Sequence, residues 1–389
     1  MKISKSAMRV SLPIVFFGIP FGLGNNLAQP IAMLLLLPLV WDARRHIVST
    51  LPFTMMIIIV STYQAMVSED GHSIYQALRS GIPFAYFYIL LAGYKDVQES
   101  ITNRLRKISE EKSRFLDQIV MGFSIGQFAQ VVFFRLGINL ANAASSSSER
   151  VLLFPTTSTL LIFFYACCRR NIALMILTGL VVMASGSKAA LVGMLTMSCI
   201  SLLNMSNFRK LATYSLMITG LAGTLLISSP LALERLTDFV LEDQGSDITR
   251  EYEIAHAKES FLSGPDTLLF GKGLAAPLTP GVPTTDERWF DNSKYDIENG
   301  YWSLVSKLGI VGIVWFGMFF RSLPHNLVSL AVISILCLFA LKTSYQFFTT
   351  FDGSYLLIWS ITINYLLTNR EHSYRPSSIY LQRRAREKS

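Results

Sequence analysis

Apolar residues gather along this chain into long blocks separated by short polar or charged stretches. Read between that charged punctuation, the blocks predict helices near 8–24, 27–41, 47–66, 82–94, 119–138, 151–168, 171–186, 189–205, 211–228, 301–320, 327–342 and 353–368. Their lengths approach the roughly 20 residues a helix needs to cross a bilayer, so the pattern predicts an all-α polytopic membrane protein with about twelve spans. The first two blocks are split only by Gly24-Asn25-Asn26, and a turn at Ser185-Gly186-Ser187-Lys188 divides another pair. Segment 95–118, long and mixed in charge, reads as a solvated helical hairpin linker.

Composition agrees with this pattern. Of 389 residues, 51% are hydrophobic and 15% charged, against roughly 25% charged in a typical soluble domain. The charges are also segregated. Residues 229–300 hold 14 acids and 6 bases, net −8, whereas the rest of the chain holds 28 bases and 12 acids, net +16. A basic excess confined to short loops is a sidedness signal, not a nucleic-acid footprint, so no nucleic-acid partner is expected.

Counted alternately across the spans, Lys2, Lys5, Arg9, Arg44, Arg45, the 104–114 cluster, Arg169, Arg170, Arg209, Lys210, Arg321 and the tail from Arg370 share one side. That side is the cytoplasm by the positive-inside rule. The chain then divides into an N-terminal bundle (1–228), a large outward, periplasmic loop (229–300), C-terminal spans (301–368) and a basic cytoplasmic tail (369–389), with both termini cytoplasmic. The first apolar block lacks a small-residue cleavage site and reads as a retained helix.

Candidate chemistry is sparse. Cys167, Cys168, Cys199 and Cys337 all fall within apolar blocks, and the five histidines show no metal-ligand spacing, so neither a disulfide framework, a bound metal nor a cofactor is expected. At about 70 residues, loop 229–300 is too long for a passive connection. Within it, Asp247 and Thr249 can start a helix that Gly264-Pro265 stops; Ile248, Tyr252, Ala255 and Leu262 form its expected packing stripe, and Arg250 is a candidate ligand-facing cation. Gly271-Lys272-Gly273 puts flexible glycines around a lysine, but without the Gly-Lys-Ser/Thr ending of a nucleotide loop. The loop closes on Asp296-Ile297-Glu298-Asn299-Gly300-Tyr301-Trp302, directly before a helix containing Leu308-Gly309-Ile310-Val311-Gly312.

This order, an arginine on an apolar helix, Gly-Pro and Gly-x-Gly, an acidic residue with Asn-Gly-Tyr, then Leu-Gly-Ile-Val-Gly, resembles the O-antigen polymerase and ligase superfamily. The likeness covers roughly residues 180–320, and the turn at Ser185–Lys188 resembles the family's Ser-Arg turn. Lys188 stands where an arginine is usual, and Glu298 where ligases have histidine, which favours a polymerase over a ligase. The literal pair His325-Asn326 lies in a short turn on the cytoplasmic side and reads as a decoy.

The resemblance implies a GT-C-like glycosyltransferase at the outer membrane face, needing no metal or cofactor, with undecaprenyl-diphosphate-linked glycans as donor and acceptor. Membrane lipid surrounds it, and a chain-length regulator protein is a possible partner. Under that reading Arg250, Lys188 and Arg135 bind the diphosphate, while Glu298, with Asp296 in reserve and Asn299 orienting, serves as general base. Arg288, Trp289 and Tyr301 are weaker candidates for sugar contact. A lipid-linked oligosaccharide flippase is the alternative from another class; it should show repeat symmetry and ionisable residues deep in several spans, and the sequence shows no internal repeat.

Overall fold

The computed structural model describes residues 25–67, 73–111, 115–135, 155–184, 188–203, 244–274, 276, 299–342 and 351–373. The blocks 8–24 and 211–228 lie outside the described residues, as does most of loop 229–300 on either side of 244–276. Every regular element described is helical. In chain order these are α1 (Asn25–Asp42), α2 (Ile47–Val67), α3 (Ser73–Ala92), α4 (Tyr94–Glu111), α5 (Phe115–Arg135), α6 (Thr156–Arg169) and α7 (Ile172–Ala184). They continue with α8 (Lys188–Leu202), α9 (Gln244–Phe261), α10 (Pro265–Phe270), α11 (Gly300–Phe319), α12 (Leu327–Lys342) and α13 (Asp352–Ser373), and a 3-10 turn, Arg44–His46, joins α1 to α2.

The other ten predicted blocks each fall on a described helix, but among the described residues two stretches, Arg44–Tyr63 and Gly300–Ser322, are both long and apolar enough to cross a membrane. The remaining apolar helices are shorter, such as Ile172–Ala184 and Leu327–Ala340. Two expectations need correction. α3 starts at Ser73, not near residue 82, because Gln76, Ala77, Leu78 and Arg79 are good helix formers and a charge does not end a helix. Segment 95–118 is no solvated hairpin: α4 is one amphipathic helix whose Val97, Ile101 and Leu105, four residues apart, are buried.

The centre of the bundle is built from α6 and α13. Residues 351–363 and Thr157–Cys167 are buried without a break, as expected of helices apolar on every side. α13 packs on α3, α4, α6 and α12, and α6 packs on α7, α8 and α13. Trp359 meets the Phe123 ring edge-on at 4.9 Å, and the Tyr94 hydroxyl lies 3.1 Å from Ser360 Oγ. A second aromatic cluster joins α2, α3 and α11, with Phe53 4.6 Å from Tyr88 and 5.6 Å from Trp315, and Phe84 5.8 Å from Phe316. This cluster holds α2 and α11 side by side and sets the platform for the site.

Candidate functional site

α9 ends where the sequence stops it, and Gly264 then caps α10, with Pro265 in the first-turn position that suits its missing N–H. α9 lies antiparallel on α11. Ser306 Oγ donates to the Ala257 carbonyl at 3.1 Å, Phe261 and Trp302 rings sit 6.5 Å apart, and Lys258 Nζ lies 5.0 Å from the Trp302 ring. The buried face of α9 is Glu253, Ala257 and Phe261. The predicted stripe is therefore rotated: Ala255 and Leu262 are exposed and Tyr252 is half-buried, packed instead on His256 at 4.4 Å. Apolarity alone misplaced the face because the true one includes a carboxylate, Glu253, that is 2% exposed.

The strap Gly271–Leu274 completes the site. α11 is interrupted at Gly309, whose φ of 65° and ψ of 179° are not helical. Such a break frees carbonyls from the helical ladder, and a freed carbonyl in an apolar setting needs another donor. The strap supplies two: Lys272 N–H donates to the Ser306 carbonyl at 2.9 Å and Gly273 N–H to the Lys307 carbonyl at 3.0 Å. On its other side, Leu274 N–H donates to Ser61 Oγ of α2 at 3.1 Å. The glycines are far from flexible. Gly271 and Gly273 hold φ of 71° and 80°, and a Cβ on Gly273 would stand 2.8 Å from Ser61 N. Absence of side chains lets the strap wedge between α2 and α11.

Lys307 sits at the break. It is 1% exposed, and its Nζ donates to the Leu274 carbonyl at 3.0 Å, closing the strap from below. Sequence reasoning missed it, although it is the sole charged residue in block 301–320, and an ionisable group in such a block is a functional signal in itself. The α9–α11 register, Phe261 with Trp302 and Ala257 with Ser306, sets buried Glu253 one turn beyond Ala257, in the direction of the break.

The predicted site residues are scattered over this frame. Asn299 Oδ1 accepts from Trp302 N–H at 3.1 Å and so caps α11. Tyr301 is exposed and turns away from α9, its hydroxyl donating to the Cys337 carbonyl of α12 at 3.3 Å. The aromatic facing the loop helix is Trp302. Arg250 lies on α9, but eleven residues before Phe261, so the register sets it about 16 Å along the axis from the head of α11. Arg135 ends α5 and Lys188 begins α8, helices that both pack on α7. The side chains of Arg135, Lys188 and Arg250, and residues Asp296, Glu298, Arg288 and Trp289 altogether, lie outside the described residues. Asn326, the decoy's asparagine, caps α12 through Ser329 N–H at 2.9 Å and donates to Asn364 Oδ1 at 3.0 Å.

No family model, curated protein or solved structure matches this chain. Chemically, the arrangement offers two lysines: Lys258, exposed beside an indole face at the head of α11, and Lys307, buried and hydrogen-bonded at its break.

Proposed function

We propose that the chain is a membrane glycosyltransferase that joins polyprenyl-diphosphate-linked oligosaccharide units into a surface polysaccharide. In this reading about twelve helices span the bacterial inner membrane, both termini are cytoplasmic, and loop 229–300 works on the periplasmic side. The observation that carries it is the strap: part of the acidic segment 229–300 folds as helices and closes on the two described helices that are apolar and long enough to span a membrane, through backbone on α11 and through Ser61 Oγ on α2. A reaction platform fixed at the membrane boundary suits a donor whose lipid tail lies in the bilayer and whose diphosphate emerges from it. The leaving diphosphate needs cations, and the acceptor hydroxyl needs a base. Arg250 and Glu298 remain the residues assigned to those roles, and Lys258 joins them because it is the exposed cation beside Trp302 at the head of α11.

The test is the glycan ladder from cells carrying Glu298→Gln or Arg250→Ala, beside cells lacking the gene. Loss of long chains in both variants, with a single unit left on the carrier and protein level unchanged, is the expected result. A normal ladder in the deletion strain overturns the polymerase reading, and full-length polymer stranded on the carrier replaces it with a ligase.

A further inference from the structure

The α1–α2 hairpin leaves a continuous apolar face open. Leu37, Trp41, Val48, Leu51, Ile59 and Tyr63 are all exposed, with Val48 at 76%, Trp41 at 64% and Tyr63 at 62%. From Ile47 to Tyr63 the face rises about 24 Å along α2, which approaches the roughly 30 Å of a bilayer's hydrocarbon core. An aromatic residue stands at each end of it, as at the two water interfaces of a membrane protein.

The charge at the Trp41 end is one-sided. Asp42 is already engaged, accepting from Arg104 Nη2 at 2.7 Å and Ser100 Oγ at 2.6 Å, and Asp96 lies 3.4 Å from His46. Arg44 and Arg45 are exposed at the turn. Arg44 lies over the Trp41 ring at 5.1 Å and donates to the Trp41 carbonyl at 3.0 Å, so its guanidinium is held at the rim of the apolar face. Two arginines, an amphipathic indole and a lipid-sized apolar wall meet at one edge.

We propose that Arg44, Arg45 and Trp41 form a binding site for the phosphate headgroup of an anionic phospholipid in the cytoplasmic leaflet, with the acyl chains along the exposed face of α2. The inference rests on the membrane part of the proposed function but not on its chemistry. Arginine's planar fork pairs with phosphate oxygens more closely than an ammonium does, and a surface cation beside anionic lipid is worth about 1 kcal/mol.

The full-length protein, purified in a nonionic detergent, is titrated with short-chain phosphatidylglycerol, short-chain phosphatidylcholine and glycerol phosphate, with bound lipid read by native mass spectrometry. Phosphatidylglycerol is expected to bind about 30-fold tighter than phosphatidylcholine, which corresponds to about 1 kcal/mol for each of the two cations. Arg44→Gln/Arg45→Gln is expected to erase that preference, Arg44→Lys/Arg45→Lys to keep much of it, and Arg321→Gln, a neutralised exposed arginine in another turn, to leave it intact. Equal binding of the two lipids, a preference that survives the Gln variant, or one lost equally in Arg321→Gln overturns the site. Glycerol phosphate binding as tightly as phosphatidylglycerol overturns it in favour of a free-phosphate site. A protein that stays dispersed without detergent and binds neither lipid removes the membrane reading itself, whereas the glycan ladder is untouched by any change of headgroup preference.

Discussion

Two seams join distant parts of this chain, and they are made of different material. The strap meets α11 backbone to backbone, Lys272 and Gly273 donating to the carbonyls of Ser306 and Lys307 across a break at Gly309, with Ser61 Oγ and Lys307 Nζ holding its far end. The α6–α13 seam depends on a side chain: Asp352 accepts from Thr157 Oγ1 at 2.6 Å and from Thr157 N–H at 3.3 Å, 195 residues away in sequence. A seam of closely packed backbone leaves no room for a methyl, whereas a seam of one carboxylate tolerates an isostere and responds to protons. The two should fail under opposite kinds of challenge.

The largest effect is expected at the strap. A Cβ on Gly309 would collide with the backbone of Leu269 and Gly271, and its φ of 65° is a conformation that L side chains rarely hold. A positive φ with ψ near 180° alone costs a residue with a Cβ about 1–3 kcal/mol, and the collision adds to it because the atoms met are backbone. Gly309→Ala is therefore expected to destabilise the protein by at least about 3 kcal/mol and to open the Lys272 peptide bond to trypsin. Thermal unfolding and limited proteolysis of the purified protein measure both; wild-type values would mean that α11 is not broken at Gly309.

A smaller loss is expected when the buried lysine of this seam is removed. Lys307→Met keeps the apolar stem but takes the donor from the Leu274 carbonyl, which costs about 1–3 kcal/mol when the acceptor is buried. Adding Glu253→Gln to Lys307→Met is expected to recover part of that loss, since Glu253 is buried on the face of α9 that packs on α11. Strict additivity in the double-mutant cycle would show that the two charges do not interact.

These seams also mark where the sequence could and could not be read. Helices were legible because apolar blocks such as 353–368 and 301–320 stand out whatever they pack on. Whether such a block faces protein or open space was not, and α13 and α2 show why: residues 351–363 are buried throughout, whereas Val48 is 76% exposed, yet both stretches are apolar. The Gly-x-Gly of the strap was visible, but its meaning was not, because its partners are backbone atoms of Ser306 and Lys307 more than thirty residues on. Asn299 was singled out as a helper in catalysis, and its Oδ1 is engaged as a cap, a local role that a polar residue before an apolar helix often takes.

The effect that separates the two seams by kind, because it alone is set by pH, is expected at Asp352, just outside the apolar stretch 353–368. Burial pushes its carboxyl up from 3.8 to about 6, against the pull of the Thr157 hydroxyl and the amides of Thr157 and Thr156. A carboxyl that holds its proton more tightly when folded stabilises the fold at low pH. That contribution is full below about pH 4, declines as pH rises to about 6 and is gone above it, a span worth about 3 kcal/mol at about 1.4 kcal/mol per pH unit. Asp352→Asn keeps an oxygen to accept from Thr157 but cannot titrate, so the variant should match or exceed wild type at pH 7 and lack this decline. Comparing the two proteins' unfolding in detergent from pH 4 to pH 7 isolates the residue, because every other titrating group is common to both. Parallel curves would show that the seam holds Asp352 no differently from a carboxyl in water. A Gly309→Ala loss that stays the same across that pH range, beside an Asp352→Asn difference that grows with pH, would show one seam closed by space and the other by charge.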